Sequence, residues 1–72
     1  MNNSNVAKIQ LNGDPYEING RTNLNELLNK LKIQKNKVAI EVNGEIVQKD
    51  KYESLVLNKN DKVEIVHFIG GG

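Results

Sequence analysis

Four leucines, Leu24, Leu27, Leu28 and Leu31, recur at i, i+3, i+4 and i+7, between two stretches in which apolar residues recur at every second position. That spacing predicts one amphipathic helix with Asn25, Glu26, Asn29 and Lys30 toward water. Its stripe must be buried on something. In a chain of 72 residues, 38% of them hydrophobic, the only apolar surface large enough is the face of a sheet. The fold class is therefore α+β, with one main helix packed on one face of a mixed sheet of four to five strands. Asn23, with Glu26 three residues on, makes a capping box at the helix start, and Thr22 is the rival cap.

The strands are read from a period of two. Ala7, Ile9 and Leu11 alternate with Lys8 and Gln10, and Asn12-Gly13 stops the run with the residue pair a tight hairpin turn prefers. Asp14-Pro15 is expected to lengthen that loop before a short return strand over 16–18. Val38, Ile40 and Val42 restart the alternation, and Asn43-Gly44 turns it back into Glu45, Ile46 and Val47. Residues 50–57 have no clear period and read as a turn of helix or an irregular strand, with Leu55 and Leu57 in the core. A turn cluster at 58–61 leads to a last strand over 62–68, in which Val63 and Ile65 face the helix. The same alternation puts Val66 and Phe68 on the opposite, solvated face, where with Ala39 they suggest a partner patch; the alternative is that Phe68 folds onto the domain's own rim.

Composition removes several classes of function. With no Trp and three aromatics, the core is expected to consist of Leu, Ile and Val. The absence of Cys excludes disulfides, thiolate metal sites and cysteine nucleophiles, and suits a reducing compartment. One His cannot assemble a His-rich metal site, and the acidic residues lack calcium-loop spacing, so no metal is expected. Ten basic and nine acidic residues are interspersed, for a net charge of +1, which argues against nucleic acid. Lys30, Lys32, Lys35 and Lys37 are read as solubilising. No apolar run approaches the roughly 20 residues of a membrane span, and no signal peptide precedes the first strand, so a cytoplasmic location is expected. No nucleophile has a placeable base, and His67, next to the tail, is read as a structural or surface residue rather than a catalyst.

This order of elements is that of the ubiquitin-like β-grasp fold. The chain further resembles the small sulfur carrier proteins of thiamine biosynthesis. The resemblance rests on Ile9-Gln10-Leu11-Asn12-Gly13, on Val38-Ala39-Ile40-Glu41-Val42-Asn43-Gly44-Glu45-Ile46-Val47, and on Val63-Glu64-Ile65-Val66-His67-Phe68-Ile69-Gly70-Gly71-Gly72. With the helix, it covers residues 9–72. Its most specific part is a last strand running directly into Gly-Gly. The implied organisation is an N-terminal extension over 1–5, expected to be disordered and matching nothing in the family, a β-grasp domain over 6–68 and a flexible glycine-rich tail over 69–72.

The resemblance implies a carrier rather than an enzyme. An E1-like adenylyltransferase would use ATP to adenylate the Gly72 carboxylate, and a sulfur donor protein would supply sulfur for a thiocarboxylate delivered to thiazole synthase. No cofactor would be bound by the chain itself, which is expected to be monomeric alone. Gly71 and Gly72 would form the sulfur-carrying terminus, and Gly70, Ile69, Phe68 and Val66 the tail and patch that partners hold. Glycine suits this role, because without a Cβ the terminus fits a narrow channel. Four extended residues reach at most about 13–14 Å. Three other readings remain: the small subunit of molybdopterin synthase, whose members often approach the tail through a Pro that this chain lacks there, a β-grasp interaction module, and a ubiquitin-like modifier.

Overall fold

The computed structural model describes residues 6–69. The expected extension over 1–5, and Gly70, Gly71 and Gly72 of the expected tail, lie outside the described residues. Strands β1 (Val6–Leu11) and β2 (Asp14–Asn19) form a hairpin, helix α1 (Leu24–Leu31) follows, then β3 (Val38–Val42), β4 (Glu45–Ile46) and β5 (Lys62–His67). The sheet has five strands in the order β2-β1-β5-β3-β4. Only β1 and β5 run parallel, so the sheet is mixed. One helix against one face of such a sheet is the β-grasp arrangement, and β5, the strand that leads to the tail, is at its centre.

Asn12-Gly13 and Asn43-Gly44 are two-residue turns with positive φ at each position, 50° and 88° at Asn12 and Gly13, and 53° and 85° at Asn43 and Gly44. That double left-handed geometry matches the twist of the flanking strands. The first turn is tighter than its sequence suggests. Asp14 and Pro15 pair with Leu11 and Gln10 as part of β2, which starts two residues before the expected Tyr16. Pro15 is tolerated because Gln10 directs its own N–H to Asp61 on the opposite side. The Gln10 and Pro15 pair is thus not a hydrogen-bonded one, and the proline nitrogen faces the open edge. The second return strand ends at Ile46, one residue early, although the Val47 N–H still bonds the Ile40 carbonyl at 2.9 Å. β5 likewise ends at His67 rather than Phe68.

Asn23, not Thr22, caps α1. Its side chain accepts from the Glu26 N–H at 2.8 Å, and the Glu26 carboxylate accepts from the Asn23 N–H at 2.9 Å. A further donor of the first turn, the Asn25 N–H, is taken by the Tyr52 carbonyl at 3.2 Å. The helix is stopped by Lys32, whose left-handed backbone (φ 60°) turns its N–H back onto the last carbonyls. Leu24, Leu27 and Leu28 are fully buried against Ile9, Ile18, Val38, Ile40, Val63 and Ile65, while Leu31 at the stripe's end is half-buried.

Residues 49–57 are a short 3₁₀ turn (Lys49–Lys51) and a loop stitched to the helix start by the Leu57 N–H, which donates to Thr22 at 2.8 Å. Leu57 is buried and Leu55 half-buried, as expected. The expectation of a purely aliphatic core fails here. Tyr52, 1% exposed, is the largest fully buried side chain of the core. Its hydroxyl is buried without a hydrogen-bond partner. Burial raises the phenol above its ordinary value of 10, and weak polar contact with the Ile40 backbone opposes the rise.

Candidate functional site

The outer face of the sheet carries Val66, Phe68 and Ala39. Ala39 is directly opposite Val66 across the β3–β5 ladder, and Val66 and Phe68 are 55% and 59% exposed. Phe68 does not fold onto the rim of its own domain. The patch is larger than alternation along β5 alone implied. In the second hairpin Glu41 pairs with Ile46, so Ile46 shares the outer face with Ala39 and is itself exposed. The two-residue turn already fixes that register, and Ile46 was legible from it. Beside these apolar groups Glu41 sits opposite Glu64, a like-charge pair that the sheet holds at its surface.

The end of β5 is fastened from both sides. On the β3 side the Phe68 N–H donates to the Lys37 carbonyl at 2.9 Å, one residue past the strand's last assigned position. On the β1 side the backbone pairing ends at Leu11 with Val63. There the side chain of Asn12 continues it. Asn12 Oδ1 accepts from the Ile65 N–H at 2.8 Å, and Asn12 Nδ2 lies 3.4 Å from the Ile65 carbonyl. One residue therefore makes the turn and extends the ladder, a role that nothing in the local sequence signals because its partner is 53 positions away.

Lys49 meets the same place from the third direction. Its Nζ donates to the Val38 carbonyl at 3.1 Å and stands 5.5 Å from the centre of the Phe68 ring. Beyond Phe68, Ile69 is 97% exposed and is not part of the ladder. His67 is exposed, paired in register with Val38. The described residues thus bring Val66, Phe68 and Ile69 into one exposed strip leading toward residue 70. Gly70, Gly71 and Gly72 lie beyond it, outside the described residues. Among the described residues no cluster of His, Asp and Glu is arranged to hold a metal ion, and no helix is long and apolar enough to cross a membrane.

The described part of this face thus consists of exposed apolar side chains, two carboxylates and a strand end pinned in place. Comparison with known proteins agrees in fold and sequence. The ThiS family profile matches residues 9–72. A thiazole synthase of Magnetococcus marinus is 45% identical over 65 residues, which are 90% of this chain and 20% of that protein, so the chain spans about a fifth of the relative's length. The sulfur carrier protein ThiS of Bacillus subtilis is 37% identical over 65 residues, 89% of this chain and 98% of that one. The crystal structure of the thiamine biosynthesis protein ThiS from Geobacter metallireducens superposes with a TM-score of 0.79 at 32% identity, covering 90% of this chain and 99% of that one.

Proposed function

The chain belongs to the ThiS family, and we propose that it is a sulfur carrier whose Gly72 α-carboxylate, as the free C-terminus of the working protein, is activated and thiolated for thiazole formation in thiamine biosynthesis. An ionised carboxylate is a poor electrophile, and this decides the order of steps. A carboxylate oxygen attacks the α-phosphorus of ATP on an E1-like partner, forming an acyl adenylate and releasing pyrophosphate. Hydrosulfide, the form of sulfur the donor must deliver, then attacks the carbonyl carbon and AMP leaves with one of the carboxyl oxygens. The product is a thiocarboxylate, with sulfur where an oxygen had been.

The single observation that carries this reading is the family match running unbroken through the exposed strip Val66, Phe68 and Ile69 to Gly72. The strip and the neighbouring Ala39 and Ile46 give partners an apolar face to hold while the terminus enters their sites. The kinship with thiazole synthases favours the thiazole ring over a pterin as the sulfur's destination. Catalysis belongs to the partners, and this chain is co-substrate and carrier.

Intact-mass analysis after incubation with ATP, a sulfide source and the E1-like enzyme of the thiamine pathway tests the proposal. Sulfur in place of oxygen is nearly isobaric with an oxidised Met1, so the change must be located in the C-terminal fragment. A thiocarboxylate on Gly72 is the expected product. An unaltered tail beside an active enzyme control overturns it.

A further inference from the structure

The geometry points to Lys49 as a positioning residue that clamps Phe68 and so sets the direction in which the tail leaves the sheet; its role in catalysis by the partner rests on the sulfur-carrier reading above. Phe68 is the last residue tied to the ladder, and its only backbone tie among the described residues is the bond to Lys37. Its ring, 59% exposed, gets little hold from the core. Lys49 supplies that hold. The ammonium is fixed by the Val38 carbonyl at 3.1 Å, which anchors it to the first residue of β3, and from there it stands 5.5 Å above the ring. A cation over an aromatic face is attracted by the ring's quadrupole, and the hydrogen bond removes the freedom that a surface lysine would otherwise lose on engaging it.

The placement matters because Phe68 is the pivot of the tail. A small rotation of its backbone is multiplied along the residues that follow, whose reach beyond the strand is at most about 13–14 Å at full extension. A terminus that starts in the right direction gives up less conformational freedom when a partner's channel captures it. The clamp therefore acts on capture of the tail and not on the bond-making steps, which take place in the partner's site.

Lys49→Met keeps the aliphatic stem and removes the charge and the donor. Lys49→Arg restores both, and Lys59→Met, in a distant turn, controls for the loss of one positive charge. In ¹⁵N relaxation and ring-resonance measurements on the free chain, Lys49→Met should loosen Phe68 and Ile69 while Lys49→Arg and Lys59→Met leave them as in the wild type. In ATP–pyrophosphate exchange by the E1-like enzyme, the KM for Lys49→Met should rise by about two- to five-fold at unchanged kcat, the scale of one exposed cation–π contact. Unchanged relaxation at Phe68 overturns the clamp. Loosening of Phe68 with an unchanged KM overturns its role in tail capture, as does an equal rise for Lys59→Met. A wild-type chain that the enzyme does not adenylate refutes the carrier reading instead, and the relaxation data still decide whether Lys49 holds Phe68.

Discussion

Replacing Asn12 by Gly separates the two tasks that this residue performs. Glycine accepts the positive φ of the turn at least as readily as asparagine, so the hairpin geometry is kept. What disappears is the side-chain bridge to β5. Of its two contacts, the 2.8 Å bond from the Ile65 N–H is a good one, and the 3.4 Å approach to the Ile65 carbonyl is long and weak. Losing the first strands a donor on a residue only 7% exposed, at about 1–3 kcal/mol. The greater freedom of glycine in the unfolded chain adds about 0.5 kcal/mol. Asn12→Asp is the informative companion. It keeps an acceptor for the Ile65 N–H and loses only the weak contact, so its cost should stay below about 1 kcal/mol.

Urea unfolding reads the difference directly. With m near 1 kcal/mol per molar for a domain this small, the midpoint should fall by about 1.5–3.5 M for Asn12→Gly and by less than about 1 M for Asn12→Asp, at equal m. Hydrogen exchange should show the Ile65 amide losing more protection than core amides elsewhere. A glycine variant as stable as the wild type, or two variants equally destabilised, would refute the claim that the side chain serves as a strand partner.

Leu28→Ala, at a position 2% exposed in the middle of the stripe, should cost about 2–5 kcal/mol through the cavity it leaves; a near-zero change in the thermal midpoint would contradict the packing of α1 on the sheet. Tyr52→Phe removes a buried hydroxyl that has no partner and should be neutral or stabilising by up to about 1 kcal/mol at pH 7. The phenol's pKa is raised in the folded state, so stability on its account is complete below pH 10 and is lost as pH rises above it, where the unfolded chain ionises first. The phenylalanine variant should accordingly lose less stability in alkali than the wild type, as pH-dependent unfolding can show. Lys32→Gly relieves the left-handed backbone at the end of α1 and should raise stability by about 0.5–1 kcal/mol in the same urea assay.

The elements that were legible in the sequence are those governed by short-range periodicity. A strand's side chains alternate with a period of two, so Val63 and Ile65 inside fix Val66 and Phe68 outside, and Asn12-Gly13 and Asn43-Gly44 each announce a left-handed turn in their own two residues. The helix stripe and its Asn23–Glu26 box are equally local. The extent of pairing is not. Whether Asp14 and Pro15 belong to the turn or to the strand depends on which way Gln10 points its N–H, and that is decided by β5, some fifty residues later. Tyr52 escaped for a related reason: it lies in a segment with no period, and its burial is set by residues far from it in sequence, the helix start bonding its carbonyl through Asn25.

The candidate site divides along the same line. Its apolar strip is written in the alternation of β5, whereas the parts that hold the strip still come from positions without any pattern of their own. Asn12 reaches Ile65 from a turn, and Lys49 reaches Val38 and Phe68 from the residue at which a 3₁₀ turn begins. This follows from how the sheet is built. A strand in the centre of a sheet is satisfied by its neighbours only as far as they run, and β5 outruns β1. A strand whose end runs on past its neighbour has to be tied there by side chains, and side-chain ties come from whichever loops the topology brings near. The residues that fasten the end of β5 are therefore scattered in sequence for the same physical reason that this strand outruns β1.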